Sequence, residues 1–456
     1  MDSSQQRKFR VLMFPWLAHG HISPYLELAK KLTNRNFHIY FCSTPVNLRS
    51  IKPQLSEKYS RCIELVQLHL PYDDLPELPP HYHTTNGLPP HLMSTLKTAF
   101  DRASPNFSNI LKTLHPDLLI YDFLQPWAPS LALLQNIPAI EFFTTSAAMM
   151  SVCTHHGEKP GVKFPFPSIY YETSKIKMLL ESSSNGISDG DRAKQCSDRS
   201  CKIVLVKSSR EIEAKYIDYL SDLIGKKIVP VGSLIQDLIE QEVDSEETKI
   251  MKWLNTRERS SVVYVSFGSE YFLSKEEIEE IAHGLELSKV SFIWVIRFPK
   301  EEKGTRVEEV LPKGFLERVG EKGIIVDGWA PQAKILKHSS AGGFVSHCGW
   351  SSVLESIKFG VPIVAMPMHL DQPINARIVE DVGVGVEVKR MGGGGNENGR
   401  LKRDEIAKVI RDVVVEENGQ GLKRKAMELR DNMKKREDEE IDGVVEQLIQ
   451  LCMRKE

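Results

Sequence analysis

The 456 residues contain no apolar run of the roughly 18 residues that a membrane span requires. The apolar run before His19 is short, and it fits a first β-strand better than a signal peptide. Neither sign of charge dominates: 59 Lys and Arg against 61 Asp and Glu leave a formal charge of −2. No basic stripe points to nucleic acid, and no polybasic tract points to an anionic membrane. There are only seven cysteines, an odd number and widely scattered. The one close pair, Cys196 and Cys201, has no nearby His to complete a zinc site, so reduced thiols in a cytosolic protein are expected. The one GxSxG match, Gly186 to Gly190, has no apolar strand before it as a nucleophile elbow requires, which argues against a serine hydrolase. One metal-type motif, Asp189-Gly190-Asp191, lies in a Ser- and Gly-rich stretch with no apolar strand before it. No metal role is expected there.

What is present is a repeated alternation of apolar strands and helices. The length suggests two to three domains with a large core. Residues 9–16 read as a buried strand, 17–23 as a loop, 24–32 as a helix with Pro24 near its first turn, and 37–43 as a second strand. That order opens a parallel, doubly wound sheet. Residues 62–68, 118–122, 139–143, 202–206 and 227–231 continue it. Residues 71–90 are too Pro-rich for regular structure, and residues 157–194 look the least ordered. Residues 232–248 read as a linker. A second wound sheet begins at 262–267, followed by a helix at 274–287 and strands at 292–296 and 324–326. Gly392 to Gly395 read as a flexible loop. From Lys402 the chain is helical and strongly charged.

The most informative stretch runs from Trp329 to Gln372. Residues 341–346 form an apolar strand and His347-Cys348-Gly349-Trp350 a tight turn. Ser351 or Ser352 is a plausible N-cap, with Glu355 three residues after Ser352 as in a capping box. The helix runs to Phe359 and stops at Gly360, with Pro362 beyond. A second strand follows at 361–366. A helix N-terminus after a parallel strand favours phosphate through its N–H groups and dipole. His347 adds a donor, and Gly349 lets a ligand approach the backbone. Asp371 and Gln372 lie beyond the second strand, where α/β proteins bind ligands.

This stretch resembles the signature box of the plant family-1 UDP-sugar glycosyltransferases: WAPQ, HCGW, the ES pair, GVP and the closing DQ. The resemblance extends over nearly the whole chain. It departs at one position, where Ser351 stands in place of the common Asn and removes an amide near the phosphates. The resemblance implies the α/β GT-B fold, two doubly wound Rossmann-like domains facing across a cleft. The expected boundaries are an acceptor domain at 1–235, a linker at 236–250, a UDP-sugar domain at 251–437 and a returning helix at 438–456.

Candidate chemistry lies at strand ends. His21 follows the first strand and Asp122 ends another, so both reach the same sheet edge. A His–Asp pair activates a hydroxyl, the acid setting the tautomer and the His taking the proton. Taken singly, His21 also reads as a surface histidine and Asp122 as a helix N-cap. GHISP (Gly20 to Pro24) and LLIYDFLQPW resemble the family's catalytic motifs, and alignment through His-x-x-Pro favours His21 over His19. Ser269, in SFGS, closes a strand near the implied diphosphate. Trp329 reads as core by itself, but the family implies an aromatic slab against uracil, with Gln332 near the uridine. Glu355 either caps the helix or accepts from both ribose hydroxyls, or does both. By the same matching Asp371 and Gln372 hold sugar hydroxyls, Thr144 reaches the sugar from the first domain, and Trp350 serves packing and backbone support. The implied reaction is direct displacement with inversion and no metal, the leaving diphosphate being met by His347, Ser269 and the helix.

The acceptor follows from finer likeness. HYHTTNGLPPHL, FGSEYFLSKEEIEEIAHGLE and PMHLDQ, with His at 369, resemble a branch that extends the sugar of an existing glycoside. The loop 71–90, placed at the acceptor mouth, offers Asp73, Asp74, His81, His83 and Asn86 to a hydrophilic acceptor. The expected donor is UDP-glucose, the expected acceptor a flavonoid, terpenoid, lignan or apocarotenoid glycoside, and the expected state a cytoplasmic monomer with no cofactor.

Overall fold

Fifteen strands form two parallel sheets and one small hairpin in the computed structural model, which describes residues 8–71, 75–236, 245–269, 271–298, 306–391 and 399–453. The first sheet has the order β3-β2-β1-β4-β5-β8-β9. Its strands are β1 (Phe9–Phe14), β2 (Phe37–Ser43), β3 (Ile63–Gln67), β4 (Leu118–Tyr121), β5 (Ala139–Phe143), β8 (Ile203–Val206) and β9 (Lys227–Pro230). β6 (Ser183–Ser184) and β7 (Ile187–Ser188) make the hairpin. The second sheet runs β12-β11-β10-β13-β14-β15. It comprises β10 (Val262–Ser266), β11 (Ser291–Ile296), β12 (Gly323–Asp327), β13 (Ala341–Ser346), β14 (Ile363–Ala365) and β15 (Gly385–Glu387). In both sheets the chain reverses its direction of winding next to the first strand, which opens a ligand crevice at the carboxyl ends.

The strands are apolar nearly throughout because both faces are covered. Side chains alternate between the two cores, as the two-residue period demands. Val11 and Met13 join one core of the first sheet, Leu12 and Phe14 the other. In the second sheet Val263 and Val265 pack on one side, Val262 and Tyr264 on the other.

Contacts divide the chain into two units. One holds Met1–Pro165, Tyr171–Gln236 and Arg436–Glu456; the other holds Phe166–Tyr170 and Asp237–Lys435. The last helix, Glu417–Met453, therefore contributes its C-terminal part to the first unit. Ile441, Val444, Leu448 and Cys452 recur at helical spacing and lie in the same core as Tyr25 and Leu26. Lys31–Glu437 and Arg35–Asp442 ion pairs, both 2.6 Å, flank that face.

Several local expectations are corrected. His21 is in the first turn of the helix His19–Thr33, not in a loop. Residues 157–194 are ordered into the end of the helix Ala147–Glu158, the helix Thr173–Glu181, the hairpin and the start of the helix Asp189–Arg199. The missed signal was Asn185-Gly186. Both residues have positive φ (54° and 76°), as a two-residue hairpin turn requires. Ser188 then caps the helix by accepting from the Asp191 N–H at 3.0 Å. In the Pro-rich stretch, short 3-10 turns form at Pro80–Tyr82 and Pro90–Leu92. His83 is buried there, its ring at the Leu78 carbonyl and its own carbonyl accepting from Thr44, so it packs the loop from within. Asp73, Asp74 and the run Gly392 to Gly395 lie outside the described residues.

Candidate active site

Two clusters form at the carboxyl ends of the strands, one in each unit. In the first unit Asp122 follows β4 and is fully buried. A buried carboxylate needs donors, and it has three. Oδ1 accepts from the Phe123 N–H at 2.9 Å, and Oδ2 from the Trp16 N–H at 3.0 Å and from His21 Nδ1 at 2.8 Å. With its proton on Nδ1, the imidazole carries its lone pair on Nε2. Thr144, just past β5, stands 3.1 Å from the same Nδ1. It therefore touches the histidine within the first unit. The Phe123 ring lies 5.6 Å from the imidazole. His21, and not the exposed His19, meets the acid.

In the second unit β10 and β13 end together, Ser266 pairing with Ser346. The turns beyond them interlock. A Cβ at Gly268 (φ +77°) or at Gly349 would lie 2.6 Å from His347 Nε2, so the ring occupies the space that two glycines leave. Cys348 between them holds φ +65°, an uncommon conformation at the centre of the site. Burial pushes the His347 imidazole down to about 4, with nearby His369 adding to the effect against a backbone hydrogen bond at Ser266. The ring is neutral at physiological pH, so it offers a dipolar N–H and not a positive charge. Ser269 follows Gly268 on the same turn.

The helix after His347 spans Trp350–Phe359 with Gly349 as its cap, and no side chain caps it. The expected Ser352–Glu355 capping box is absent, because the cap is Gly349, three residues earlier, and the Ser352 N–H already donates to the Gly349 carbonyl at 2.9 Å. Glu355 instead accepts from Gln332 Nε2. These two uridine-side candidates therefore meet across 23 residues of sequence. Trp350 is buried and Ser351 is exposed on the first turn. Trp329 is 69% exposed, with the Arg297 guanidinium 5.0 Å from its ring centre. Arg297 also donates to the Gly328 carbonyl at 2.8 Å, which fixes the stack.

Beyond β14, Gln372 is buried. Its Oε1 accepts from the Met368 and His369 N–H groups at 3.0 and 3.1 Å, and its Nε2 lies 2.8 Å from His369 Nδ1. Tyr271 packs on the His369 ring at 5.2 Å. Asp371 accepts from Asn375 at 2.7 Å, and the same amide donates to the Cys348 carbonyl at 3.0 Å. Sequence reasoning missed Asn375, which joins Asp371 to the His347 turn. Its i,i+4 spacing from Asp371 was the available signal. It also missed Arg297 and Tyr271, for which no local pattern exists. The Asp189/Asp191 motif lies elsewhere: Asp189 pairs with Lys97 at 2.5 Å and Asp191 with Ser188 at 2.7 Å. Among the described residues no three metal-capable side chains converge.

A doubly wound pair of sheets with an anion turn in one and a His–Asp pair in the other defines a nucleotide-sugar transferase fold and site. The model of the UDP-glucoronosyl and UDP-glucosyl transferase family matches residues 210–431, and that of the glycosyltransferase N-terminal domain matches residues 7–236. The beta-D-glucosyl crocetin beta-1,6-glucosyltransferase of Gardenia jasminoides is 54% identical, over 96% of this chain and 98% of the relative. The cyanidin-3-O-glucoside 2-O-glucuronosyltransferase of Bellis perennis is 50% identical, over 99% of each. Glycyrrhiza uralensis UGT73P12, crystallised with glycyrrhetinic acid 3-O-monoglucuronide, shares the fold with a TM-score of 0.84 at 22% identity, over 98% of this chain and 97% of that one. The chain belongs to the plant family-1 UDP-glycosyltransferases and has the GT-B fold.

Proposed function

We propose that this enzyme transfers glucose from UDP-glucose, with inversion and without a metal, to a sugar hydroxyl of a small-molecule plant glycoside. The observation that carries the chemistry is the 2.8 Å contact of His21 Nδ1 with buried Asp122. His21 Nε2 takes the proton of the acceptor hydroxyl as its oxygen attacks the anomeric carbon. The bond from that carbon to the diphosphate oxygen breaks, and UDP leaves with the electron pair. Asp122 stabilises the imidazolium and stays ionised. Thr144 supports the ring from Nδ1, a role that the geometry favours over direct contact with the sugar.

The first unit, with the returning helix, is read as the acceptor and base side, and the second as the UDP-sugar side. Trp329, braced by Arg297, is the slab for uracil. Gln332 orients Glu355 for the ribose diol. His347, Ser269, Gly349, the first-turn N–H groups of the helix at Trp350 and Ser351, and the Ser352 hydroxyl meet the diphosphate as neutral donors. Asp371 is the sugar contact, positioned by Asn375, while Gln372 shapes the loop that carries His369.

Both named relatives act on glycosides and differ in the sugar they transfer, so they favour a glycoside acceptor more directly than a particular donor. UDP-glucose is the reading because Asp371-Gln372 closes the box as in glucose users and no arginine is next to His21 in the sequence. A cytoplasmic monomer completes it; no disulfide joins the seven cysteines, and no described helix is long and apolar enough to cross a membrane. The test is a matched pair, a terpenoid or flavonoid aglycone and its monoglucoside, each given UDP-glucose. Glucose on the monoglucoside's sugar, with the higher kcat/KM, supports the reading. Equal or faster conversion of the aglycone overturns it.

A further inference from the structure

The helix Asp189–Arg199 lies outside every family motif in the sequence, yet it reaches the loop that carries Asp122 at three points. The Tyr121 hydroxyl, one residue before the acid, donates to the Cys196 carbonyl at 2.6 Å. Arg192 donates to the Leu124 carbonyl at 3.2 Å, and Arg199 to the Pro126 carbonyl at 2.6 Å. From the other side, Gln125 Nε2 donates to the Phe14 carbonyl at the end of β1 at 2.7 Å. The segment from Tyr121 to Pro126 is therefore tied down on both flanks of the catalytic acid.

Arg192 is the centre of this arrangement. Its side chain is 1% exposed and grips Asp101 with both terminal nitrogens, at 2.9 and 2.6 Å. It also donates to the backbone and hydroxyl oxygens of Ser184 in the hairpin, at 3.1 and 3.2 Å. Asp101 is held further by the Trp127 indole N–H at 3.0 Å. A planar guanidinium that serves a carboxylate and two backbone carbonyls together has no substitute among the other side chains. Ser188 at one end and Lys226, on the Ser197, Asp198 and Ser200 carbonyls at the other, fix the helix that carries it.

We propose that Arg192, set by Asp101, is a positioning residue for catalysis: it holds the loop of Asp122 so that the carboxylate stays aligned on His21 Nδ1. This rests on the reading of His21 and Asp122 as the base and its partner. The Asp189-Gly190-Asp191 motif then serves to start a structural helix. Arg192 touches neither substrate nor His21, and acts through the backbone. Loss of its contact lets the acid drift. A misplacement on the order of 1 Å in a catalytic array lowers turnover by about 10²-fold.

The test is a double-mutant cycle in the full-length enzyme, with Arg192→Met, Asp122→Asn and both together, and UDP affinity and thermal stability measured alongside. Arg192→Met is expected to lower kcat by about 10- to 100-fold, with UDP affinity unchanged. Weaker support of the imidazolium should also move the acid limb of the kcat/KM profile to lower pH. In the Asp122→Asn background the same substitution should cost almost nothing, because the group it positions is gone. Equal losses in both backgrounds overturn the inference and leave Arg192 a stability residue. A full-rate Asp122→Asn enzyme overturns instead the underlying base–partner reading. Should Arg192→Met fail to fold, Arg199→Ala at the exposed end of the clamp gives the same cycle, with a smaller loss and the same non-additivity expected.

Discussion

The two clusters are built in opposite ways. The second unit presents the turn proposed to take the nucleotide, made mainly of backbone: two glycines, one imidazole wedged between them, and a helix start with no capping side chain. Most of its parts lie within the 44 residues from Trp329 to Gln372. The first unit presents the proposed catalytic pair, made of side chains joined across 101 residues for His21–Asp122 and 123 for Thr144–His21. A backbone site depends less on its outward side chains than on the room at a close approach, where an added methyl does not fit. A side-chain site depends on each hydrogen bond and on whatever aligns it.

The sharpest way to separate them is His21→Ala. Turnover should fall by about 10²- to 10⁴-fold, the range for losing a general base, while calorimetric UDP affinity stays as it was. A collapse of UDP affinity with turnover intact would make His21 structural and dissolve the division between the clusters.

Gly349→Ala is the converse experiment. The new Cβ would sit 2.6 Å from His347 Nε2. Overpacking of that kind costs about 1–3 kcal/mol, which is roughly tenfold to a hundredfold in UDP affinity. The His21 limb of the pH profile should not move. Unchanged UDP binding would show that His347 yields easily and is not held by the glycines.

A smaller effect concerns pH. His347 titrates near 4 in the folded protein against an ordinary 6.5. The unfolded chain thus takes up this proton first, and the stability from the neutral ring is present above pH 6.5 and lost as the pH falls toward 4. His347→Gln removes that term, so the wild-type melting temperature should drop more steeply than the variant's between pH 7 and 4.5. Parallel slopes would contradict burial of a neutral imidazole.

The smallest expected effect is that of chelation. Activity should persist in excess EDTA, since neutral donors are assigned to the diphosphate. Loss restored by manganese or magnesium would reopen the donor site, although Asp189 is already paired with Lys97.

The helix and strand pattern was legible wherever apolar periodicity was strong, as in β1, β4, β10 and β13. It was least legible in residues 157–194, where the cues were a two-residue turn and a serine cap instead of an apolar face. The helix start at Trp350 was misplaced because Ser352 and Glu355 match a capping box in spacing, while the chain already turns helical at Trp350, after the Gly349 cap. His83 and Asn86 look alike in the sequence as polar loop residues, but one is buried under Leu78 and the other is exposed.

The sequence by itself determined the family, the parallel winding of both sheets and the nucleotide turn, because each is a matter of local spacing: apolar period, glycine placement, a strand followed by a helix. Only the tertiary structure decided that Nδ1 of His21 meets Asp122 and Thr144, that Gln332 orients Glu355, that Arg297 backs Trp329 and that Arg192 grips the loop of the acid. Those contacts join residues from 23 to 123 positions apart in the chain for a shared reason. Parallel sheets gather the carboxyl ends of distant strands on one edge, and only there do buried polar groups find the partners that burial requires.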